Sequence, residues 1–430
     1  MLNKKGKVVI YLLLFFLLLR IGIVIIAGQK ENEFADAHGY NGYAHAILKN
    51  SEWLTDPDFK GNYRPPVYPM FIAFIYAIFG INNFLAVYLF QAMISVLTCF
   101  YIYKFSKKIF DEKVALLALT WSGFYIFYLK YVRELLRETL VFLLIIAFFY
   151  YLYLFLNEEI KRARNFSLTN FLYFLLIHTD PKFLFFLPFF LTLFIVFQPS
   201  RQGIKQYLMF LGVTVLLMVP WNIRNYIAYD AFILINTRTI DLRKTEIRDP
   251  VMDGYIKYNL FNFGVINKVN ISKDYPTDQE RELIKRGFNP NNRSRDEIIA
   301  IKDDVYPAST FIGRKWDHFL QLWKPFDFAR SYRPFPDARF NGIWSLRHNI
   351  SSILCYGLLL PFVFLSIYYL VKQKNKAWIF LTVPLITNTL LHILYYGRNR
   401  YRVPFDSFII ILGVYGIYIF AKKILAVRKI

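Results

Sequence analysis

The chain predicts an all-α polytopic membrane protein: about ten transmembrane helices, juxtamembrane helices on the outer face and a long outer loop. Three observations carry this. Of its 430 residues, 56% are hydrophobic and 20% aromatic. These gather into long uninterrupted runs. Residues 84–103, for example, carry no charge and can cross about 30 Å of hydrocarbon. Finally, Lys and Arg recur in short turns between the runs, as the positive-inside rule expects of cytoplasmic turns.

The elements follow in order. Lys4, Lys5 and Lys7 precede a first span at 8–27, so the N-terminus is cytoplasmic. Further inside turns hold Lys104, Lys107, Lys108 and Lys113, then Lys161, Arg162 and Arg164, then Arg201 and Lys205, then Lys372, Lys374 and Lys376. The tail carries Lys422, Lys423, Arg428 and Lys429, so both termini lie inside. Other long apolar runs are 140–156, 204–221, 351–371, 377–396 and 404–421, too dispersed to be one cleaved signal. By alternation the outside segments are 28–83, 130–138, 179–182, 222–350 and 397–403.

Residues 66–79 are apolar but too short to cross. As a span they would put the Lys104 turn outside, so they read as a juxtamembrane or re-entrant helix, with Pro65 and Pro66 suited to its first turn. Residues 168–178 are short as well. Irregular backbone at membrane depth survives only beside protein or water, so these elements suggest an outward-open cavity. The loop 222–350 is long for a connection and has helical patterns near 277–287 and 294–323; it reads as an ordered cap. The chain thus divides into an N-terminal transmembrane module with the first outer loop (1–221), the outer loop (222–350) and C-terminal transmembrane helices (351–430).

The formal net charge is +22. Because the cations sit in turns between spans, topology and anionic lipid heads account for them, and no nucleic acid is expected. Cys99 and Cys355 both fall inside apolar runs, so neither a disulfide nor a zinc site is expected.

Topology does not account for the charges on the outer face. Asp36, in Phe34-Ala-Asp-Ala-His-Gly-Tyr40, can act as general base on a hydroxyl acceptor or hold a cation, with Tyr40 one helical turn on; it can equally cap a helix. Arg64 stands before Pro65-Pro66, where a guanidinium can grip a phosphate bidentately or bind bulk lipid heads. Arg133, Glu134, Arg137 and Glu138 open a span with i,i+4 spacing, and Glu138 lies deepest, where a carboxylate needs a partner or a cavity. Asp180 and Lys182 flank Pro181 in a tight turn. Arg398, Arg400 and Arg402 surround Tyr401 just before Pro404, with Asp406 one helical turn beyond Arg402. Such an arginine cluster suits a phosphate or pyrophosphate. Arg20, deep in the first span, is expected to snorkel outward.

Taken in order, these segments resemble the C-type glycosyltransferase superfamily, which includes the protein O-mannosyltransferases and the bacterial aminoarabinose transferases that use polyprenyl-phosphate sugars. The likeness rests on Asp36, on the run from Arg64-Pro-Pro-Val-Tyr-Pro to Ala73, and on Arg137-Glu138-Thr139-Leu140. It continues through Thr179-Asp-Pro-Lys182, Pro220-Trp-Asn-Ile-Arg224-Asn-Tyr226 and Arg400-Tyr-Arg-Val-Pro404. The resemblance implies an inverting transfer from a lipid-linked donor at the outer leaflet, in a bacterial inner (plasma) membrane. By it Asp36 is the base or acceptor-orienting group, Glu138 a cavity carboxylate, and Arg64, Arg400 and Arg402 contacts to the lipid phosphate. Arg133, Arg137, Lys182, Arg224, Arg398 and Tyr401 join the donor side; Tyr40, Asp180 and Asp406 join the sugar or acceptor side.

The chain departs from its relatives in two places. Ala37 follows Asp36 where the mannosyltransferases often carry a second acid, and Asp180 stands where many relatives carry arginine. No cofactor is certain, and a divalent cation at Asp36 is left open. The implied partners are the bilayer, a polyprenyl-phosphate-linked sugar and a protein, lipid or glycan acceptor. A lipid-linked oligosaccharide polymerase or ligase and a flippase or transporter are the alternatives. A transporter more often shows paired halves, and the sequence has no internal repeat.

Overall fold

The computed structural model describes residues 4–27, 35–49, 64–229, 232–235, 315–316, 319–320, 322–325, 350–394 and 399–427. Among them there are helices and turns and no strand. The helices are α1 (Lys4–Ala27), α2 (Ala35–Lys49), α3 (Val67–Phe79), α4 (Phe84–Ile109), α5 (Glu112–Gly123), α6 (Ile126–Tyr131), α7 (Glu138–Asn157) and α8 (Arg162–Thr179). A 3-10 turn, Pro181–Phe186, leads into α9 (Leu187–Phe197) and α10 (Ser200–Tyr229). A π-helical turn, Ile353–Gly357, precedes α11 (Leu359–Lys372), α12 (Ala377–Leu394), α13 (Asn399–Arg402) and α14 (Asp406–Val427). Arg398 and the helical patterns near 277–287 and 294–314 lie outside the described residues.

Seven helices among the described residues are long and apolar enough to cross a membrane: those within α1, α4, α7, α10, 350–372, α12 and 399–426. The alternation read from the sequence requires three more passages. They fall on α5–α6, which is broken, on α8, and on the short Pro181–Phe197 segment. Val67–Phe79 is a short apolar helix, as the sequence predicts for the juxtamembrane position.

By compactness the chain forms two units. One gathers Met1–Asn236, Ile350–Asn388 and Arg402–Ile430; the other gathers Thr237–Asn349 and Thr389–Tyr401. Within the second, the Trp323 indole N–H donates to Thr389 Oγ1 (3.1 Å), the Lys315 ammonium donates to the Leu394 carbonyl (2.6 Å), and His392 stacks on Tyr401 with ring centroids 4.6 Å apart.

In the first unit α7 is the hub. Its face is apolar all round, and it packs on α4 and α8. Phe148 and Phe149 meet Tyr173, Phe190, Phe380 and Phe408 in tilted and edge-to-face contacts, an arrangement favoured by the ring quadrupole. Polar side chains start the neighbouring helices. Asn83 accepts from the Ala86 N–H (3.0 Å) to open α4, and Asp111 accepts from the Val114 N–H (2.9 Å) to open α5.

Arg20 differs from its expectation. It does not snorkel; it is fully buried and turned into the bundle. Its guanidinium donates to Ser95 Oγ (2.8 Å) and to the carbonyls of Phe16 (3.1 Å) and Gly123 (3.2 Å), and it reaches Cys99 Sγ. The reason is the break between α5 and α6. A helix that ends inside the membrane leaves carbonyls that lipid cannot satisfy, and a cation at a helix C-terminus satisfies them. Gly123 is required there because a Cβ would overlap the Phe16 ring.

Candidate active site

The site is built from the starts of four elements. α2 carries Asp36 in its first turn, where a carboxylate is favoured by the helix dipole. Arg64 precedes α3 and reaches back to it, with the guanidinium 2.8 Å from Asp36 Oδ1. Two neighbours make room for that approach. The Arg64 guanidinium lies 5.0 Å from the centre of the Tyr40 ring, and a Cβ on Gly39 would come within 3.1 Å of Arg64 Nε.

α2 itself is laid on α3 by polar contacts. The Tyr76 hydroxyl donates to Asn41 Oδ1 (2.8 Å), and the Asn41 amide donates to Asn82 Oδ1 (3.1 Å). His45 also meets Asn82 Oδ1 at 2.7 Å.

The second half comes from the turn before α7 and the turn after α8. Spacing alone suggests that residues 133–138 begin a helix, but 132–137 is a turn and α7 opens at Glu138. Arg137 therefore faces across to the end of α8, pairing with Asp180 Oδ2 (3.1 Å) and donating to the Thr179 carbonyl (3.3 Å). Lys182 lies 3.5 Å from the same Asp180 oxygen, above the rings of Phe183 and Phe405. Asp180 caps the 3-10 turn, with Pro181 at its first position, where no N–H is needed. Glu138 is buried at 6% exposure, and Arg133 is half-buried in the turn.

The two halves share one electrostatic neighbourhood. Burial raises the Tyr40 hydroxyl above its ordinary range; the fields of Glu138 and Asp36 add to the shift, while those of Arg137 and Arg64 oppose it. Tyr40 therefore stays protonated at neutral pH, a hydroxyl between both groups of charges. Lys182 likewise lies in the fields of Asp180, Arg137 and Glu138. Arg64, Asp36, Arg137 and Glu138 thus all act on Tyr40, and Arg137 and Glu138 act on Lys182 as well, beside its partner Asp180.

The other sequence candidates have partners of their own. Arg402 is buried, with its guanidinium 2.9 Å from Asp406 Oδ1 and 3.4 Å from the centre of the Tyr356 ring. Asp406 also accepts from the Tyr125 hydroxyl (2.6 Å). Arg224 lies over the Trp221 ring and donates to Asn225 Oδ1 (3.0 Å). Trp221 and Asn225 in turn hold the carbonyls of Ile235 and Ile233. Arg400 and Tyr401 belong to the second compact unit.

A cation at Asp36 would have to displace Arg64. Among the described residues no group of three or more His, Cys, Asp and Glu gathers closely enough to hold a metal ion.

Residues 63–223 match the family profile dolichyl-phosphate-mannose-protein mannosyltransferase. That segment is less than half of the chain but holds Arg64, Arg133, Arg137, Glu138, Asp180 and Lys182. In structure, the oligosaccharyltransferase of Archaeoglobus fulgidus in its apo form superposes with a TM-score of 0.56 at 14% identity, over 98% of this chain and 51% of that one. The same enzyme, AglB, in complex with an inhibitory peptide and a dolichol-phosphate, gives 0.54 at 13% identity, over 98% and 51%. The fold is that of the C-type glycosyltransferases.

This chain spans about half the length of the solved structures it matches first. ArnT from Cupriavidus metallidurans matches over 94% of this chain and 77% of its own, at 10% identity and a TM-score of 0.46. No curated protein matches in sequence. The superfamily resemblance read from the motifs is borne out, as is the all-α membrane architecture.

Sequence reasoning missed Gly39, Tyr68 and Gln91, which touch Arg64, Tyr40 and the 132–137 turn respectively. Gln91 left a signal: a lone amide within an apolar membrane run asks for partners.

Proposed function

We propose that this protein transfers a sugar from a polyprenyl-phosphate-linked donor to an acceptor hydroxyl on the outer face of the membrane, inverting the anomeric centre. The observation that supports it most is the convergence of Arg64, Arg137 and Lys182 with Asp36, Asp180 and Glu138 on elements the charge pattern assigns to one side. A sugar on a lipid phosphate already carries a good leaving group. The transition state needs positive charge at the departing phosphate, in a partly dry site, and one base at the incoming hydroxyl.

In this reading Arg64 and Arg137 turn from Asp36 and Asp180 to the donor phosphate. Lys182 adds a point charge, and the Tyr40 hydroxyl orients the sugar. The acceptor oxygen attacks the anomeric carbon opposite the phosphate. The carbon–oxygen bond to phosphate breaks with its electron pair on the phosphate, and the acceptor proton passes to Asp36. Glu138 lines the cavity. Arg133, Arg224, Arg398, Arg400 and Tyr401 remain donor-side proposals from the resemblance. For Arg402 and Asp406 the geometry supports another role: their buried pair anchors the start of α14 to Tyr125 and Tyr356.

The test is mass spectrometry of lipid-linked sugars and surface glycans in cells lacking the protein. One lipid-linked sugar is expected to accumulate while one glycan loses the same residue, with rescue by wild type and not by Asp36→Asn. Unchanged inventories overturn the reading. Accumulation of a complete oligosaccharide on its lipid redirects it to the ligase alternative.

A further inference from the structure

We propose that Gln91 and Tyr68 are positioning residues that set the two halves of this site at their working separation; the proposal rests on the transferase reading above. Gln91 sits on α4, 1% exposed, and uses every part of its amide. Its Nε2 donates to the carbonyls of Val132 (2.9 Å) and Glu134 (2.9 Å), and its Oε1 accepts from the Tyr68 hydroxyl (2.8 Å).

The orientation of the amide is fixed by chemistry. The two carbonyls only accept, so nitrogen must face them, and oxygen is left for the hydroxyl. The carbonyls belong to the irregular turn 132–137, which presents Arg137 and Glu138. Backbone of that kind at membrane depth needs internal partners, and Gln91 supplies two.

From Tyr68 the connection runs to the other half. Tyr68 is fully buried and meets Tyr40 edge to face, with centroids 4.8 Å apart. Tyr40 carries the Arg64 guanidinium on its ring, and Arg64 holds Asp36. One buried line, Arg64–Tyr40–Tyr68–Gln91–turn, therefore joins the Asp36 half to the Arg137 half. Neither Gln91 nor Tyr68 needs to touch substrate for this. A displacement of either half by about 1 Å is enough to cost a positioned reaction heavily.

The experiment uses full-length protein in phosphatidylcholine nanodiscs, with undecaprenyl phosphate as probe. Gln91→Met keeps the side-chain volume and removes all three hydrogen bonds, whereas Tyr68→Phe removes one. Both are expected to speed hydrogen exchange at the 133–137 amides about tenfold and to weaken undecaprenyl phosphate about fivefold.

Ser366→Ala is the control for general destabilisation. It deletes a buried hydroxyl that donates to the Leu412 carbonyl between α11 and α14. It is expected to lower the melting temperature comparably while leaving the turn and the lipid affinity alone. A turn that stays protected in Gln91→Met, or one that loosens equally in Ser366→Ala, overturns the positioning role. Arg64→Ala judges the underlying reading separately. If it binds undecaprenyl phosphate as tightly as wild type, the lipid-phosphate assignment fails, and hydrogen exchange still decides the role of Gln91.

Discussion

At the scale of residues, the proposed base is tied up at rest. Asp36 and Arg64 form a part-exposed pair, 36% and 13% accessible, and such pairs contribute only about 0–1 kcal/mol. The pair is therefore cheap to open and ready to exchange a carboxylate for a phosphate. Replacing Asp36 by Asn keeps the shape and removes the basicity. Turnover should fall about 10²–10⁴-fold, measured as glycan formation in a purified system, while undecaprenyl phosphate still binds. Full activity in Asp36→Asn would take the base assignment away. Gly39 tests the other partner. Its substitution by Ala places a Cβ 3.1 Å from Arg64 Nε, so the guanidinium must give by a few tenths of an ångström. Losing the best geometry of one charged hydrogen bond is worth about 1 kcal/mol, so the lipid-phosphate affinity should drop about fivefold. An unchanged affinity would mean that Arg64, once turned from Asp36, does not meet the phosphate beside Gly39.

At the scale of elements, the break between α5 and α6 is the structural risk, and Arg20 is its remedy. Truncation to Ala leaves the Gly123 carbonyl and Ser95 without their donor and opens space among Phe16, Cys99 and Gly123. An orphaned buried acceptor costs about 1–3 kcal/mol, and the lost packing adds to that. The melting temperature of Arg20→Ala in detergent should fall clearly below wild type, and an unchanged value would show that the break needs no cap. The long spans and the basic turns were legible because hydrocarbon thickness and leaflet charge act on composition alone. The break was not. Trp121-Ser122-Gly123-Phe124 contains no proline, and the need for Arg20 arises only once α1, α4 and α5 meet. The turn at 132–137 hid for a similar reason. Its residues carry helical spacing, but Asp180, far along the chain, takes Arg137 and rewards the non-helical course. Asp36, Arg64, Glu138 and Asp180 were legible as charges that topology does not require, whereas Gly39, Tyr68 and Gln91 work through shape and buried hydrogen bonds. The likeness in motifs also did not separate Arg402, buried against Asp406, from Arg64 and Arg137, whose pairs lie at the proposed site.

At the scale of the whole molecule, the charges sort by end of helix. The Lys108 ammonium at the end of α4 pairs with Glu158, just past the end of α7. Both belong to turns that the charge rule places inside. Arg137 and Glu138 stand at the opposite end of α7, whose 20 residues rise about 30 Å, the thickness of the hydrocarbon layer. One helix therefore separates the Lys108–Glu158 pair from the proposed site, and the side assigned to one end fixes the other. A membrane-impermeant maleimide applied to intact cells or spheroplasts should label Arg133→Cys, whose side chain is half-buried in the turn before α7, and should spare Lys108→Cys until the membrane is opened. The reversed pattern would put Asp36, Arg64 and Arg137 on the cytoplasmic side. A donor presented at the outer leaflet could not then reach them, and the proposed transfer would have to be abandoned whatever the site chemistry allows.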